Sequence, residues 1–378
     1  MKISLITDGI TPYVTGGMQK HSFCVARYMA REKINVDLYH DLGNLFPSEE
    51  SERLEIFSDD ERAFIQGFGF HFPNPGKLPG HYLRRSKEFS ALIYSSFIQQ
   101  QRSDFIIAKG FTPWELLENR PKDCPPIAVK FHGMNMFQTL TGFQGYLKAM
   151  MFRTPVRKIM RKSDYVFSYG GKITDIILRQ GIPHDKILEF PSGIESDWLE
   201  EQDREIDTVK FLYVGRYERL KGVEELYSAI QKLPPDINAF FSFVGPIPES
   251  KKLSHPKVFY YNEITSRERL RDIYKEHDVV LCCSYSEGMP NVILEGMGLG
   301  LTALATDTGA VSTMVNMDTG WVIDSPPQPD VLVRSIVEIC SDIGCLREKK
   351  RRAFEHVSEN LRWEVIITRM IEKISTLI

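Results

Sequence analysis

The stretch from residue 278 to residue 300 constrains the fold most, because it combines an apolar run, a polar turn and a helix start in the order of a parallel α/β unit. Its first six residues read DVVLCC, and such a run is typical of a strand buried on both faces of a parallel sheet. A helix is predicted to begin at Pro290, since proline has no N–H to lose at the first helical position. Units of this kind predict a doubly wound sheet, which binds ligands at the carboxyl ends of its strands.

The turn before that helix carries groups that could bind an anion. The backbone amides of residues 288–292 are free at the predicted helix N-terminus, where an anion is stabilised. Glu287 precedes these amides and Glu295 follows them, so two hydrogen-bond acceptors flank the predicted anion site. The alternative interpretation is a surface loop whose two glutamates are solvated.

A second segment of the same kind lies at residues 209–222, VKFLYVGRYERLKG, and it places two cations after a strand. Arg216 offers a planar fork of donors and Lys221 a compact charge, a pair that suits a departing diphosphate. Solvated surface cations are the alternative. Together the two segments predict an anion site at the carboxyl edge of one parallel sheet.

Short apolar strands alternate with helical segments through both halves of the chain, which predicts two doubly wound α/β domains. We predict an N-terminal domain at residues 1–200, a second domain at 201–355 and a C-terminal helix at 356–378, with the acidic stretch 194–208 as the linker. Strands are predicted at 3–7, 35–40, 105–109, 127–131, 164–168 and 186–190 in the first half, and at 209–214, 239–245, 257–261, 278–283 and 302–306 in the second.

Composition limits the class of protein. With 378 residues, 42% of them hydrophobic, the chain is long enough for two cores. A net charge of -3 gives no general attraction to nucleic acid, so we expect no nucleic-acid partner. The 6 cysteines lack paired metal spacing, and the chain begins on a predicted strand without a signal-peptide pattern or a long apolar window. We therefore expect reduced thiols and a cytoplasmic location.

A series of motifs in a fixed order adds to this picture. The motifs are Gly16-Gly17 after the first strand, FHG at 131–133, the strand from Ser163-Asp164 to Ser168, PSGI at 191–194, GR and KG within 215–222, VG at 244–245, EGMPNVILEG at 287–296, TG at 319–320 and Trp363. In this order they resemble the retaining GT-B glycosyltransferases of family 4. The resemblance implies two Rossmann-like domains that face each other across a cleft, with a C-terminal helix that crosses back to the first domain.

The resemblance also implies roles for particular residues. It makes Glu287, Arg216 and Lys221 the catalytic residues, gives the donor's ribose to Glu295 and places the nucleotide base against residues 261–265. A structural histidine and a plain tight turn are the alternative interpretations of His132 and of the Gly16-Gly17 pair. The donor-binding residues that the resemblance implies are Gly16, Gly17, His132, Gly215, Arg216, Lys221, Ile264, Glu287, Gly288, Met289, Pro290, Asn291 and Glu295.

No metal or cofactor is expected. The chain has no D-x-D triplet and no carboxylate cluster with metal spacing, and Arg216, Lys221 and helix amides can supply the charge that Mg²⁺ supplies in other transferases. Retention in this fold is commonly explained by front-face attack in which the leaving phosphate accepts the acceptor's proton. That explanation requires no protein nucleophile.

The resemblance favours a UDP-sugar as donor and a saccharide or lipid-linked saccharide as acceptor, in cell-surface polysaccharide or lipopolysaccharide synthesis. Residues 148–162 hold six basic residues and no acidic one, so this segment could contact the anionic inner face of the cytoplasmic membrane, although Pro155 is predicted to interrupt its helix. A solvated helix face is the alternative. Two other functions stay open: a sugar-nucleotide-binding protein without turnover, and a hydrolase or phosphorylase on the same fold that uses Glu287 and Glu295 as paired carboxylates.

Overall fold

The computed structural model describes residues 1–14, 16–43, 54–73, 80–140, 142–202 and 204–378, without the side chains of residues 143 and 144. One residue of the predicted linker, Asp203, lies outside these ranges.

The first half of the chain forms a seven-stranded sheet in which every pairing is parallel. Its strands are β1 (Lys2–Ile6), β2 (Asn35–Asp41), β3 (Ile65–Phe70), β4 (Phe105–Lys109), β5 (Ile127–Lys130), β6 (Tyr165–Ser168) and β7 (Ile187–Glu189), in the order β3-β2-β1-β4-β5-β6-β7. The helices between them are α1 (Gly17–Arg31), α2 (Asp59–Arg62), α3 (His81–Phe97), α4 (Trp114–Glu118), α5 (Gly142–Lys162) and α6 (Lys172–Arg179). All six strands predicted in this half are confirmed.

The second half forms a six-stranded parallel sheet. Its strands are β8 (Val209–Val214), β9 (Ala239–Val244), β10 (Val258–Tyr261), β11 (Val279–Cys282), β12 (Thr302–Thr306) and β13 (Gly320–Ile323), in the order β10-β9-β8-β11-β12-β13. Its helices are α7 (Val223–Lys232), α8 (Arg267–Lys275), α9 (Asn291–Gly298), α10 (Pro329–Ser341) and α11 (Ile343–Asn360), and the last helix of the chain is α12 (Trp363–Ser375). The prediction of two doubly wound parallel sheets is confirmed.

The strand orders show where each sheet binds ligands. In the first sheet the order reverses between β1 and β4, and in the second it reverses between β8 and β11. A doubly wound sheet opens a crevice at this point, outside the carboxyl ends of its strands. Gly16 and Gly17 follow β1, residues 215–222 follow β8, and residues 283–291 follow β11. The predicted site segments therefore lie at the switch points.

The C-terminal helix packs back on the first half of the chain, as predicted. The ring of Trp363 at the start of α12 stacks on Tyr28 of α1 with 6.1 Å between centroids. Backbone bonds from Ile194 N to Leu361 O, 2.8 Å, and from Trp363 N to Ile194 O, 3.1 Å, fix the crossing. A buried indole at this junction ties the end of the chain to the segment that joins the two sheets.

Helix α5 contradicts one prediction, because it continues through Pro155 without interruption from Gly142 to Lys162. A proline inside a helix loses one backbone hydrogen bond, and packing of the flanking turns can offset that loss. The turn after the proline is well anchored, since Val156, Ile159 and Met160 are all buried in the core. Among the described residues, no helix combines the length and the apolar character that crossing a membrane requires.

Candidate functional site

A cavity of about 260 Å³ lies between the carboxyl edges of the two sheets. The first sheet lines it with residues that include Gly17, His21, His132 and Tyr169, and the second sheet lines it with Arg216, Lys221, Glu287, Gly288, Met289 and Asn291, among others. Eight predicted donor-binding residues thus meet in one cavity: Gly17, His132, Arg216, Lys221, Glu287, Gly288, Met289 and Asn291.

Lys221 and Glu287 contact each other directly in this cavity. Lys221 Nζ donates to Glu287 Oε1 at 2.7 Å, and the same oxygen accepts from Ser284 Oγ at 2.6 Å. Burial alone would lower the pKa of Lys221, but the Glu287 carboxylate outweighs it and the pKa is raised, so the ammonium stays charged. The Glu287 carboxylate also orients the Lys221 ammonium beyond the carboxyl ends of β8 and β11.

Arg216 is the exposed cation of the site. Its side chain is 72% exposed, and its only ion pair among the described residues is with Glu218 at 3.1 Å. The backbone carbonyl of Arg216 accepts from Tyr213 Oη at 2.9 Å, which holds the turn while the guanidinium stays free to reorient. A planar fork of this kind can bind phosphate oxygens in pairs.

The turn before α9 brings backbone close to the opposite sheet. A Cβ on Gly288 would lie 3.1 Å from both the Gly133 Cα and the His132 carbonyl oxygen, so any other residue here would push this backbone apart by a few tenths of an ångström. The predicted helix start is one residue early, because Pro290 has an extended backbone with ψ of 113° and the helix begins at Asn291. The first amides of α9 remain directed at the cavity edge.

His132 is held in one orientation by Tyr169. Tyr169 Oη lies 2.5 Å from His132 Nδ1, and burial raises the pKa of Tyr169 well above its ordinary value, so the phenol keeps its proton and donates. The imidazole then carries its proton on Nε2, which is buried and has no hydrogen-bond partner among the described residues. His132 therefore presents a free donor at a wall of the cavity. Tyr169 was missed in the sequence, where the only signal is its place directly after β6.

Two buried lysines flank His21 behind the cavity. Lys109 Nζ lies 2.8 Å from Nδ1 of His21, and Lys130 Nζ lies 3.1 Å from Nε2. Burial lowers the pKa of Lys109 to about 7, although the Asp8 carboxylate acts against it, and burial together with the charge of Lys109 lowers the pKa of Lys130 well below its usual range. Burial likewise raises the pKa of Asp8. This polar cluster supports the cavity wall with little net charge.

The buried lysines predict a pH dependence of stability. Between pH 7 and pH 8.5 an unfolded lysine is protonated, whereas Lys109 with a folded pKa of about 7 is largely neutral. The unfolded chain then binds more protons, so the free energy of unfolding rises with pH, by up to about 1.4 kcal/mol per pH unit for one lysine.

Lys109→Met should reduce this rise and leave the contribution of Lys130, as measured by urea denaturation at several pH values. Lys232→Met, at an exposed ion pair with Asp330, is the control that should keep it. An unchanged slope in Lys109→Met would show that the buried lysine keeps its charge.

Glu295 lies on a smaller neighbouring cavity, together with Gly17, Lys20 and Asn291. Tyr274 Oη donates to Glu295 Oε2 at 3.2 Å, and Lys20 Nζ lies 3.5 Å from Oε1. Burial raises the pKa of Glu295, although Lys20 opposes the shift. Lys20 was missed in the sequence, because nothing along the chain shows that α1 faces α9.

Four predicted donor-binding residues do not line either cavity: Gly16, Gly215, Ile264 and Pro290. Gly16 directly precedes α1, and Gly215 donates from its backbone to Val244 O at 2.9 Å. Ile264 is partly buried against the core next to the chain after β10. In the ranges that the structure describes, no group of three His, Cys, Asp or Glu side chains could hold a metal ion.

Comparison with known proteins finds a family match for the part of the chain that contains Arg216, Lys221 and Glu287. Residues 196–357 match the family model described as Glycosyl transferases group 1. This region is similar to group 1 glycosyltransferases. The resemblance to glycosyltransferases predicted from the sequence is therefore confirmed at the level of group 1.

Relatives agree with this identification over part of their length. The chain is 35% identical over 103 residues to the putative teichuronic acid biosynthesis glycosyltransferase TuaC of Bacillus subtilis, covering 27% of this chain and 26% of the relative. It is 22% identical over 249 residues to the uncharacterized glycosyltransferase MJ1069 of Methanocaldococcus jannaschii, covering 62% of this chain and 64% of the relative. The chain thus spans less than two thirds of the length of these relatives.

Solved structures share the whole fold. Sucrose-phosphate synthase from Thermosynechococcus elongatus superposes with a TM-score of 0.76 at 17% identity, covering 100% of this chain and 98% of that one. The lipopolysaccharide outer core galactosyltransferase WaaB gives 0.71 at 14% identity, with 100% of both chains covered. Anabaena Alr3699/HepE, solved in complex with UDP and glucose, gives 0.68 at 15% identity, again over 100% of both chains. The architecture is GT-B, as predicted.

Proposed function

We propose that the protein is a retaining glycosyltransferase of family 4 that moves a sugar from a nucleotide-diphosphate sugar to a saccharide or lipid-linked saccharide. The observation that carries this proposal is the Lys221–Glu287 contact in a cavity that His132 also lines from the opposite sheet. A cation and a carboxylate at one point can hold the phosphate and the sugar hydroxyls of a single donor. The exposed Arg216 adds a second cation that can turn toward the same phosphates.

In this proposal the residues mainly stabilise charge. Lys221 and Arg216 bind the diphosphate more strongly as it departs and gains negative charge, which lowers the barrier. The leaving phosphate accepts the proton of the acceptor hydroxyl, so no side chain attacks the sugar. His132 donates through Nε2 to an oxygen of the donor sugar, Glu287 accepts from the sugar hydroxyls, and Glu295 accepts from the ribose.

Retention can be tested on the product. The anomeric configuration of the first-formed glycoside, read by proton NMR, should match the α or β configuration of the donor sugar. An inverted product would contradict the assignment to a retaining family while leaving transfer itself intact.

The donor and the pathway are the less constrained part of the proposal. UDP-sugars are favoured because the HepE structure, which shares the fold, contains UDP and glucose. A role in cell-surface polysaccharide or lipopolysaccharide synthesis is supported by the names of TuaC and WaaB.

Membrane contact is also proposed, through α5 at the inner face of the cytoplasmic membrane. Its first turns expose four large apolar side chains by 40% to 52%: Tyr146, Leu147, Met150 and Met151. Basic residues of 148–162 follow on the same helix, and each cation near an anionic surface adds roughly 1 kcal/mol. A helix with exposed apolar and basic residues suits a lipid interface.

Transfer should not require a divalent metal. In this proposal Lys221 and Arg216 neutralise the leaving group in place of a metal, so activity is expected to persist in excess EDTA. The control is a known Mg²⁺-dependent transferase inhibited in the same buffer. Complete loss of activity that Mg²⁺ or Mn²⁺ restores would contradict this part of the proposal.

The geometry does not favour a hydrolase that uses Glu287 and Glu295 as paired carboxylates. Glu287 is bound to Lys221 and Ser284, whereas Glu295 is bound to Tyr274 on a different cavity. A glycosidase needs both carboxyl groups across one bond. A sugar-nucleotide-binding protein would bind the nucleotide sugar without releasing diphosphate. Release of diphosphate therefore distinguishes a transferase from such a protein.

A further inference from the structure

A second cavity, of about 210 Å³, lies beside His132 on the side of the first sheet. Its walls are mainly aromatic and apolar, formed chiefly by Phe72, Tyr82, Phe89, Phe111, Phe131 and Met134. Phe72 and Phe89 lie 5.1 Å apart, and Tyr82 and Phe111 lie 6.2 Å apart, measured between ring centroids. At about 30 Å³ per water the space equals about seven water molecules, which gain few hydrogen bonds from such walls. An apolar group would therefore displace them favourably.

This second cavity, the aromatic cavity, adjoins the first cavity between the two sheets, the cleft cavity. Four residues line both of them: Met18, His132, Gly133 and Asn135. A ligand seated among the aromatic rings can therefore place its other end at His132. This is the region where an acceptor hydroxyl must meet the donor sugar.

The aromatic cavity also continues outward to the surface of α5. Tyr82 is 42% exposed, and its ring lies 6.0 Å from that of Phe152 on α5. The preceding residue on that helix, Met151, is exposed, and its Cε would lie 3.5 Å from a Cβ on Gly80, next to the start of α3. Apolar surface thus runs from the exposed turn of α5 to the cavity wall.

Polar side chains are the minority of this cavity's lining, namely Asp8, Ser86, Thr112, His132 and Asn135, and two of them are already engaged. Thr112 Oγ1 is already bonded to Ile6 O at 3.2 Å and to Lys109 O at 2.9 Å. Asn135 Oδ1 accepts from Ser286 Oγ at 3.2 Å. A bare saccharide would lose hydrogen bonds to water here without full replacement, which is costly.

We propose that the aromatic cavity binds a linear apolar chain of an amphiphilic acceptor, whose hydroxyl-bearing head lies at His132. The role of this ligand as an acceptor rests on the proposed transferase function, whereas the binding of an apolar chain in the aromatic cavity does not. A chain that enters past Tyr82 from the exposed turn of α5 reaches the cleft without leaving apolar surface.

Isothermal titration of the full chain with butyl, hexyl and octyl glucoside, below their micelle concentrations, tests the cavity without any transfer assay. Each buried methylene is expected to tighten binding by up to about fourfold. Octyl glucoside has four more methylenes than butyl glucoside, so even partial burial of these groups should make it bind at least about tenfold more tightly. Phe72→Ser should reduce that ratio at least about threefold through the lost apolar wall. Phe240→Ser, an exposed aromatic on β9, is the matched control that should keep it.

Equal binding of all chain lengths, or a full chain-length effect in Phe72→Ser, would overturn the inference. If Phe72→Ser does not fold, Tyr82→Ser at the exposed entrance replaces it, and an octyl glucoside bearing a photoreactive chain should label peptides spanning 111–136. Labelling confined to α5 would mean surface adsorption and would also overturn the inference. Failure of the transferase proposal is separate, since it shows as no diphosphate release from any nucleotide sugar whether or not the alkyl chain binds.

Discussion

Replacing Lys221 with alanine is expected to lower kcat by about 10²- to 10³-fold, the loss typical for a fixed group that stabilises charge developing in a transition state. The change removes the ammonium that Glu287 orients at 2.7 Å. It also leaves the Glu287 carboxylate, which is proposed to bind the sugar, with Ser284 as its remaining hydrogen-bond partner among the described side chains.

The comparison that isolates this effect uses a second lysine. Lys232 forms an exposed ion pair with Asp330 at 2.8 Å, away from both cavities. Lys232→Ala should therefore keep the wild-type rate, and the far-ultraviolet circular dichroism of both variants should match the parent. Wild-type turnover in Lys221→Ala would place the diphosphate elsewhere.

Gly222→Ala is expected to lower the free energy of unfolding by about 2 to 5 kcal/mol, combining a left-handed backbone cost with overpacking. Gly222 has φ of +67°, and a Cβ there would lie 1.9 Å from the carbonyl oxygen of Cys283. That oxygen belongs to the backbone at the end of β11, which must shift. Activity should fall as well, because the shift moves Lys221 relative to Glu287.

Gly142→Ala is the matched control for this substitution. Gly142 also has a left-handed backbone, with φ of +73°, but a Cβ there meets nothing within 4 Å. Gly142→Ala should lower the free energy of unfolding only by the cost of placing alanine in a left-handed backbone conformation, about 1 to 2 kcal/mol. Chemical denaturation of both variants measures the difference, and equal losses would mean that the Cys283 contact relaxes at no cost.

The buried strands could be predicted from sequence because parallel strands covered on both faces are continuous apolar runs. Strand β3 could not, since its sequence IQGFGF carries two glycines, which are depleted in strands, and it gains its stability by pairing with β2. Strand β13 was also missed, because its sequence GWVI begins on a glycine and leaves only three apolar residues to form a run. Pro155 misled the prediction for α5, because burial of the next turn is a tertiary effect.

Motif order predicted that Lys221 and Glu287 serve one site, and the structure brings them into contact. Nothing in the sequence shows that these two side chains bind each other across 66 positions. Tyr169 and Lys20 act from other elements of the first sheet and have no motif of their own. The buried lysines could have been found, since FIIAK and IAVKF are both predicted strands that end near a lysine, and β4 and β5 pair Lys109 with Lys130 in register.

The most direct test of the central claim is release of nucleoside diphosphate from a panel of UDP-, GDP- and dTDP-sugars by the purified full chain, with and without acceptor extracts. We predict release from one nucleotide class, faster when acceptor is present and at least about 10²-fold slower in Lys221→Ala. No release from any donor, or release at the wild-type rate in Lys221→Ala, would contradict the claim that this cleft transfers sugars from nucleotide-diphosphate donors.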